Sequence, residues 1–471
     1  MPEFTTPART NRPADTSRAR ASVQKSVPPG AADLPLFVPM MFSLMFRNIA
    51  SDGFVFSDPQ SPGDISRDSK PGCIIAAPSF PAETPGIDED YVFNWVRDGA
   101  ITAMELAKAD LPTRPDGGSV QTLNDYVQFA DLCHSNAQPT KGHACFNIAG
   151  DSRPWTEQND GPALQSITIL AAYDQLDLDT RKRAVDLVNS NVAYLLDVYE
   201  DPTTNLWEEH SGYSFFARSA QLRCFEEIQA STIIGIDKPA GLKAAVDWLR
   251  QALADHWDGS KYVSMMADPG DGAEPSPRNP VVSGYDPNID IVQSALYGAV
   301  PVSDPKLLAT AAQLRSQWEE GGIAFYPINK ADKEKFGIGP LFGRYPGDVY
   351  DGDTAHPVLG GHPWALSTCN VAELHYKLAA EITSSGEVPV HELSAPFFAQ
   401  SGIDASSAPA KAAAALVATG DAMVRAVIYH SDNLELSEQF DGATGFERSV
   451  HNLTWSYAAY LSAMRARAEA A

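Results

Sequence analysis

The stretch "GPALQSITILAAYDQL", Gly161 to Leu176, is followed after three residues by "TRKRAVDLVNSNVAYLLDVYE", Thr180 to Glu200. In both, apolar residues recur at the spacing that gathers them on one face of an α-helix. The same periodicity returns in Gly99–Asp110, Ala240–Trp257, Asp304–Glu320, Trp364–Ile382, Ala408–His430 and Asn452–Ala470. Strand-like runs are few, at Asp52–Asp58 and Gly72–Pro78. The pattern predicts roughly a dozen helices in pairs, with no strict repeat and therefore no solenoid of identical units. Long loops rich in Gly, Pro, Asp and aromatics lie between them, above all Met265–Asn288 and Gly343–Trp364. Loops of that length inside a compact domain are usually functional. The reading is an all-α fold, a closed ring of helical hairpins with its loops gathered at one end.

The chain has 471 residues, 44% hydrophobic and 20% charged, which is enough apolar material for a large core. Length alone suggests about two or three domains, but no Pro/Ser-rich linker divides the helical region. Residues 34–471 are therefore read as one domain behind a tail, residues 1–33, that is disordered or vector-derived and lacks an apolar leader segment. The apolar run Leu34–Phe46 is too short to span a bilayer. It reads as a first core helix entered after Pro39, with a late signal segment as the alternative. A formal net charge of -25 repels phosphate backbones, so nucleic acid is not an expected partner, nor is a membrane, and a neutral or cationic substrate fits better. The cysteines, Cys73, Cys133, Cys145, Cys224 and Cys369, are odd in number, widely spaced and without CxxC spacing. They form neither a disulfide framework nor a zinc site by spacing. Buried thiols in a reducing compartment are expected, which places the chain in the cytoplasm, with secretion as the alternative. No metal and no cofactor are expected, and the oligomeric state is not legible.

"TNLWEEHSGYSFF", Thr204 to Phe216, sets Glu208 and Glu209 side by side behind Trp207. Its ordinary reading is a helix start, where acidic residues meet the positive end of the dipole. Six other segments combine a bulky aromatic with charged or polar neighbours: Tyr91–Asp98, Pro154–Leu164, Gly343–Tyr350, Gly360–Trp364, Leu436–Phe440 and Leu453–Tyr460. Sugars need this mixture, because aromatic rings stack on pyranose faces while carboxylates, amides and guanidinium groups bind hydroxyls. Cleavage of a glycosidic bond needs one protonated and one ionised carboxyl group. A carboxyl beside an aromatic wall has its charged form desolvated and its pKa raised, which suits Glu208 as the acid. On a helix Glu209 would diverge from it by about 100°, leaving it to bind a hydroxyl or cap the helix. Glu438, flanked by Ser437 and Gln439, suits the charged partner; its ordinary reading is a surface glutamate.

Taken in order, "YVFNWVRDGAITA", "NDGPALQSITIL", "NLWEEHSGYSFF", "GRYPGDVY…GGHPW" and "LSEQF…LTWSYAAYLSA" resemble the glucoamylases of glycoside hydrolase family 15 over most of the chain, from about Phe37 to Ala463. The resemblance implies an (α/α)6 barrel and an inverting exo-hydrolase that releases glucose from the non-reducing ends of α-glucans or gluco-oligosaccharides. It implies Glu208 as general acid and Glu438 as general base. It implies sugar contacts from Tyr91, Trp95, Arg97 and Asp98 at the terminal glucose and from Glu209 towards the leaving group. It further implies Arg344 as a hydroxyl contact, Trp207, Trp364 and Trp455 as pocket aromatics, and Gln439, beside the base, as a sugar contact.

One segment departs from the pattern. Familiar starch-degrading members read W-G-R-P-Q ahead of the aspartate of the DGPAL segment, whereas this chain reads Arg153-Pro154-Trp155-Thr156-Glu157-Gln158-Asn159-Asp160. The tryptophan is one residue closer to the aspartate and the arginine precedes it, so no role is transferred to Arg153. The loop is expected at the pocket mouth, with Trp155 or Glu157 near the leaving sugar, and linkage preference is open. No Ser/Thr-rich linker or β-rich module follows the last helical stretch, so soluble oligosaccharides are the expected substrates. The alternatives are an α-1,6-specific glucosidase, a trehalose-cleaving enzyme, and a carbohydrate-binding protein on a decayed hydrolase scaffold.

Overall fold

The computed structural model describes residues 27–51, 55–57, 66–79, 90–114, 118–270, 274–350 and 358–470. The first 26 residues of the expected tail lie outside these. The rest of that tail is built into the fold. Pro29 O accepts from Arg425 Nε at 2.6 Å and Ala31 O from an Arg467 guanidinium nitrogen at 3.2 Å, and a 3-10 helix, Ala31–Phe37, leads on from there.

Fourteen α-helices are present among the described residues, and alternate ones face the centre. In chain order they run α1 (Val38–Phe46), α2 (Val96–Lys108), α3 (Gln121–Asn136), α4 (Gly161–Ala172), α5 (Leu178–Val198), α6 (Phe215–Ala230), α7 (Leu242–Ala254) and α8 (Asp290–Leu296). They continue with α9 (Pro305–Trp318), α10 (Pro327–Phe336), α11 (Ala365–Ser385), α12 (Ala395–Ala399), α13 (Pro409–His430) and α14 (Thr454–Glu469). Helices α2, α4, α6, α8, α11 and α14 each pack on the next, and α14 closes on α2. Around this ring α3 lies on α2, α5 on α4, α7 on α6, α9 on α8, α13 on α11 and α1 on α14. This is an (α/α)6 barrel, with α10 and α12 as additions to the twelve.

The sequence explains which helices go inside. In α7 the buried residues are Leu242, Ala245, Val246, Leu249, Ala252 and Leu253, one stripe with solvent opposite, as an outer helix requires. In α14 an unbroken run from Thr454 to Met464 is buried, because it faces the axis on one side and the outer ring on the other. Helix α13 is long and apolar enough to cross a membrane, yet its Leu416, Met423, Val424 and Val427 are buried in the packing of the outer ring. Its Gly420 allows the close approach to α11: a Cβ there would lie 2.7 Å from the Tyr376 ring.

Strands are short and antiparallel. They are β1 (Val55–Ser57) with β2 (Ser66–Asp68), β3 (Asn94–Trp95) with β4 (Cys145–Phe146), β5 (Thr203–Thr204) with β6 (Ser211–Ser214) and β7 (Met265–Met266), and β8 (Gln439–Phe440) with β9 (Glu447–Arg448). Two sequence readings are corrected here. Gly72–Pro78 forms no strand, only an isolated bridge between Ile74 and Ile49, because its backbone bonds are divided between two short neighbours, Asn48–Ala50 and Tyr91–Phe93. The paired glutamates do not start a helix; they sit in the turn between β5 and β6, and α6 begins only at Phe215.

Candidate active site

The N-terminal ends of the inner helices converge on one end of the barrel. Trp95 caps α2, Trp364 caps α11, Leu453 caps α14, and Trp455 lies in the first turn of α14. Together with the β5–β6 turn and the segment Arg344–Tyr350 they enclose a cavity of about 240 Å3. Tyr91, Trp95, Arg97, Asp98, Trp207, Glu208, Glu209, Arg344, Trp364, Glu438 and Trp455 all line it. Of the catalytic and sugar-contact residues that the resemblance implied, Gln439 alone does not. Its side chain is buried behind the wall, where Nε2 donates to Tyr350 O at 3.1 Å, because alternation along β8 turns it away from Glu438.

Asn205 organises the turn that carries the glutamate pair. Its backbone oxygen accepts from Glu208 N at 3.0 Å, and its Oδ1 accepts from Glu209 N at 3.0 Å and His210 N at 3.2 Å. The turn forces Glu208 to a φ of 64°, a left-handed conformation costly for a non-glycine residue. That conformation, and not helical divergence, separates the two glutamates. Glu208 Oε1 accepts from Trp95 Nε1 at 2.9 Å, and Oε2 from Trp155 Nε1 at 2.8 Å. Trp207 is turned away, donating from Nε1 to Asn288 Oδ1 at 3.2 Å and packing on Trp364 and Trp455. The aromatic wall around Glu208 is thus Trp95 and Trp155. Burial pushes the Glu208 carboxyl up to about 7, against the lowering effects of Arg97 and of the two indole donors.

Glu209 is held quite differently. Its Oε1 accepts from an Arg344 guanidinium nitrogen at 2.7 Å and its Oε2 from the Tyr345 hydroxyl at 2.8 Å. Arg344 is in turn forked onto Asp348, at 2.8 and 2.6 Å, and faces the rings of Trp207, Tyr350 and Trp364. Across the cavity Arg97 reaches Gln158 at 3.1 Å, Asp160 at 3.3 Å and Asp98 at 3.4 Å, with Trp455 beneath it. Asp98 Oδ2 accepts no hydrogen bond, and burial first, then Asp160, raises its pKa despite Arg97. A buried acceptor left in this state is costly unless a ligand hydroxyl meets it.

Glu438 precedes β8 and is 3% exposed. Tyr91 donates to its Oε1 at 3.1 Å, Tyr350 to its Oε2 at 2.9 Å, and Ser449 also donates to Oε2. Three hydroxyl donors suit an ionised carboxylate. The two candidate catalytic carboxyl groups therefore line one cavity from two separate turns, one wrapped by indoles and the other by hydroxyls.

A profile of the Glycosyl hydrolases family 15 matches residues 54–465. The chain belongs to that family. A glucoamylase of Blastobotrys adeninivorans is 26% identical over 88% of this chain and 69% of its own length. The intracellular sporulation-specific glucoamylase of Saccharomyces cerevisiae is 26% identical over 87% of this chain and 81% of its own. Among solved structures, the glucoamylase of Hormoconis resinae superposes with a TM-score of 0.72 at 22% identity, over 94% of this chain and 74% of that one, and shares the barrel. This family 15 chain is a glycoside hydrolase of the glucoamylase type.

Three parts of this family 15 site were not legible in advance. Tyr350 belongs to the Gly343–Tyr350 segment but to a loop without periodicity; Ser449 lies eleven residues beyond Glu438 and is brought back by the β8–β9 pairing, and Ala76, Leu206, Leu366 and Leu453 complete the cavity wall. The altered loop divides. Trp155 reaches Glu208, whereas Glu157 turns to Thr140 and His143, and Arg153 lies over the Phe93 ring at 3.8 Å.

Proposed function

We propose that residues 34–471 act as one catalytic domain that removes glucose from the non-reducing ends of soluble α-glucans and malto-oligosaccharides, with inversion at the anomeric carbon. The observation that carries this reading is the pair of unlike carboxyl environments in one cavity. Glu208, half-buried and poised at about 7, can donate a proton to the leaving oxygen. Glu438, held by Tyr91, Tyr350 and Ser449, can take a proton from water attacking the opposite face. Asp98 and Arg97 would clamp the hydroxyls of the terminal ring with charge-assisted hydrogen bonds, and Trp95, Trp364 and Trp455 would wall it. Arg344, Tyr345 and Glu209 form the neighbouring surface, where the leaving sugar would lie. A cavity closed behind Trp455 by the ring of inner helices would favour chain ends over mid-chain attack.

Five buried, unpaired cysteines support a reducing compartment. We take α-1,4 over α-1,6 linkages, because Trp155, although displaced in the altered loop, still reaches the candidate acid Glu208. Product NMR on maltose is the test. β-Glucose is expected as the first product, with maltose preferred over isomaltose and trehalose. A first product of α-glucose would refute inversion, and early release of long oligosaccharides from amylose would refute exo-action.

A further inference from the structure

The altered loop places its arginine before its tryptophan, and the two side chains meet. Ser152 bridges to Phe146 and Glu157 to His143, so the segment between them runs antiparallel to His143–Phe146. Arg153 N donates to Cys145 O at 3.1 Å, which fixes where that side chain starts. Arg153 and Trp155 flank Pro154, whose ring stiffens the backbone between them. The Arg153 guanidinium carbon lies 3.8 Å from the centre of the Phe93 ring and 4.6 Å from that of Trp155. One cation thus lies over both rings at once.

Trp155 needs such a partner. It is 39% exposed, so water competes for the Nε1 donor that lies 2.8 Å from Glu208 Oε2. Trp95 meets the indole edge-on, with centroids 5.8 Å apart. The arginine is anchored where the indole is not. Its side chain is 10% exposed, and Nη2 lies 3.6 Å from Asp90 Oδ2. Its Nη1 is buried without an acceptor, which is costly. The two aromatic faces offset that cost, since a desolvated cation over a ring is worth more than an exposed one. Arg97 and Asp98 are the charged groups that act on the Glu208 carboxyl, beside the two indole donors. Arg153 instead faces Phe93, Trp155, Asp90 and the Cys145 thiol, which burial keeps protonated.

We propose that Arg153 is a positioning residue: anchored on Phe93 and Asp90, it stacks on the Trp155 indole and aims Nε1 at Glu208. A loop with its arginine and tryptophan in this order thereby still delivers a donor to the acid. For its catalytic consequence the proposal rests on the role proposed above for Glu208; for the clamp itself it does not.

Indole NMR of the full chain, labelled with 15N at tryptophan, reads the clamp directly. The Nε1–H resonance of Trp155 is assigned by its loss in Trp155→Phe. Arg153→Met keeps the aliphatic stem and removes the guanidinium. In that variant the resonance should shift and exchange with water about threefold faster or more. On maltose kcat should fall by about threefold or more, and the loss should shrink on α-glucosyl fluoride, whose leaving group needs no proton. The alkaline limb of kcat/KM should move upward by about half a pH unit. Adding Arg153→Met to Trp155→Phe should move the limb no further. Turnover of the fluoride shows that the variant is folded; Arg153→Gln, of similar length and without the charge, repeats the test if the methionine variant is not. An indole resonance that stays in place overturns the proposal. So does a limb shift that recurs in the Trp155→Phe background, because the guanidinium would then act by its charge and not through the indole. A resonance that moves while Glu208→Gln still cleaves maltose at the wild-type rate would leave the clamp standing and remove Glu208 from the role of acid.

Discussion

The turn between β5 and β6 and the start of the β8–β9 hairpin each deliver one glutamate to the same cavity, and they treat it in opposite ways. Glu208 sits at a left-handed φ of 64°, half-buried between two indole N–H donors and poised at about 7. Glu438 sits under three hydroxyl donors. Residue type is the same; surroundings divide the labour. Both carboxyl groups are largely withdrawn from water; at Glu208 desolvation outweighs Arg97 and two indole donors and favours the neutral acid, whereas three hydroxyl donors at Glu438 suit the ionised base.

The sharpest way to break this comparison is to neutralise each carboxyl in turn. Glu208→Gln and Glu438→Gln should each lower kcat on maltose by about 10²–10⁴-fold, the usual worth of general acid or base catalysis. The two should part on α-glucosyl fluoride, whose leaving group needs no proton. There Glu208→Gln should recover about tenfold or more of its loss, and Glu438→Gln none. Equal behaviour of the two variants on both substrates would erase the distinction between the turns.

The next test reads the pH profile. The acid works protonated, so kcat/KM should fall as pH rises through about 7. Trp155 Nε1 stabilises the charged form of Glu208, so removing it raises the pKa. Trp155→Phe should therefore move the alkaline limb upward by about one pH unit. Ser449→Ala, at a donor to the other carboxylate, should lower activity and leave that limb in place. A limb that stays fixed in Trp155→Phe would mean that the indole merely packs.

Stability offers a third contrast. Between the ordinary glutamate pKa and about 7 the folded chain holds a proton on Glu208 that the unfolded chain has lost, so this group makes stability decline as pH rises through that window. Glu208→Gln has no such titration. Its Tm advantage over the wild type should grow from pH 5 to pH 8, measured by calorimetry. An advantage independent of pH would point to backbone strain at this position instead.

These particulars also show what was legible in the chain. Helical periodicity foretold the ring of helices, and the resemblance to family 15 carried by the aromatic–carboxylate segments implied eleven of the residues that line the cavity. They missed how those residues are held, because holding is non-local. The local rule for adjacent acids led to a helix start, and it lost to the Asn205 turn, whose geometry depends on β5 pairing with β6. Trp155 broke the expected spacing yet reaches Glu208, since the path from β4 to α4 is set by bridges such as His143 to Glu157 and not by residue count. Gln439 carried the right chemistry on the wrong face of β8. Closure of α14 onto α2 joins the two ends of the chain and leaves no trace in either segment alone.

The smallest effect is expected beside Glu208, at its neighbour. Glu209 is fixed by Arg344 at one oxygen and by the Tyr345 hydroxyl at the other, 2.8 Å away. Tyr345→Phe removes one neutral donor and leaves the Arg344–Asp348 fork intact. A single hydrogen bond of this kind is worth about 1 kcal/mol, or about fivefold. If Glu209 only holds the leaving sugar, the loss is of uniform binding, so KM for maltose should rise about fivefold with kcat unchanged. The effect should fade on α-glucosyl fluoride, which has no leaving sugar to hold. A drop in kcat with KM unaltered would instead place Glu209 in the transition state, and the division between the two adjacent glutamates would have to be redrawn.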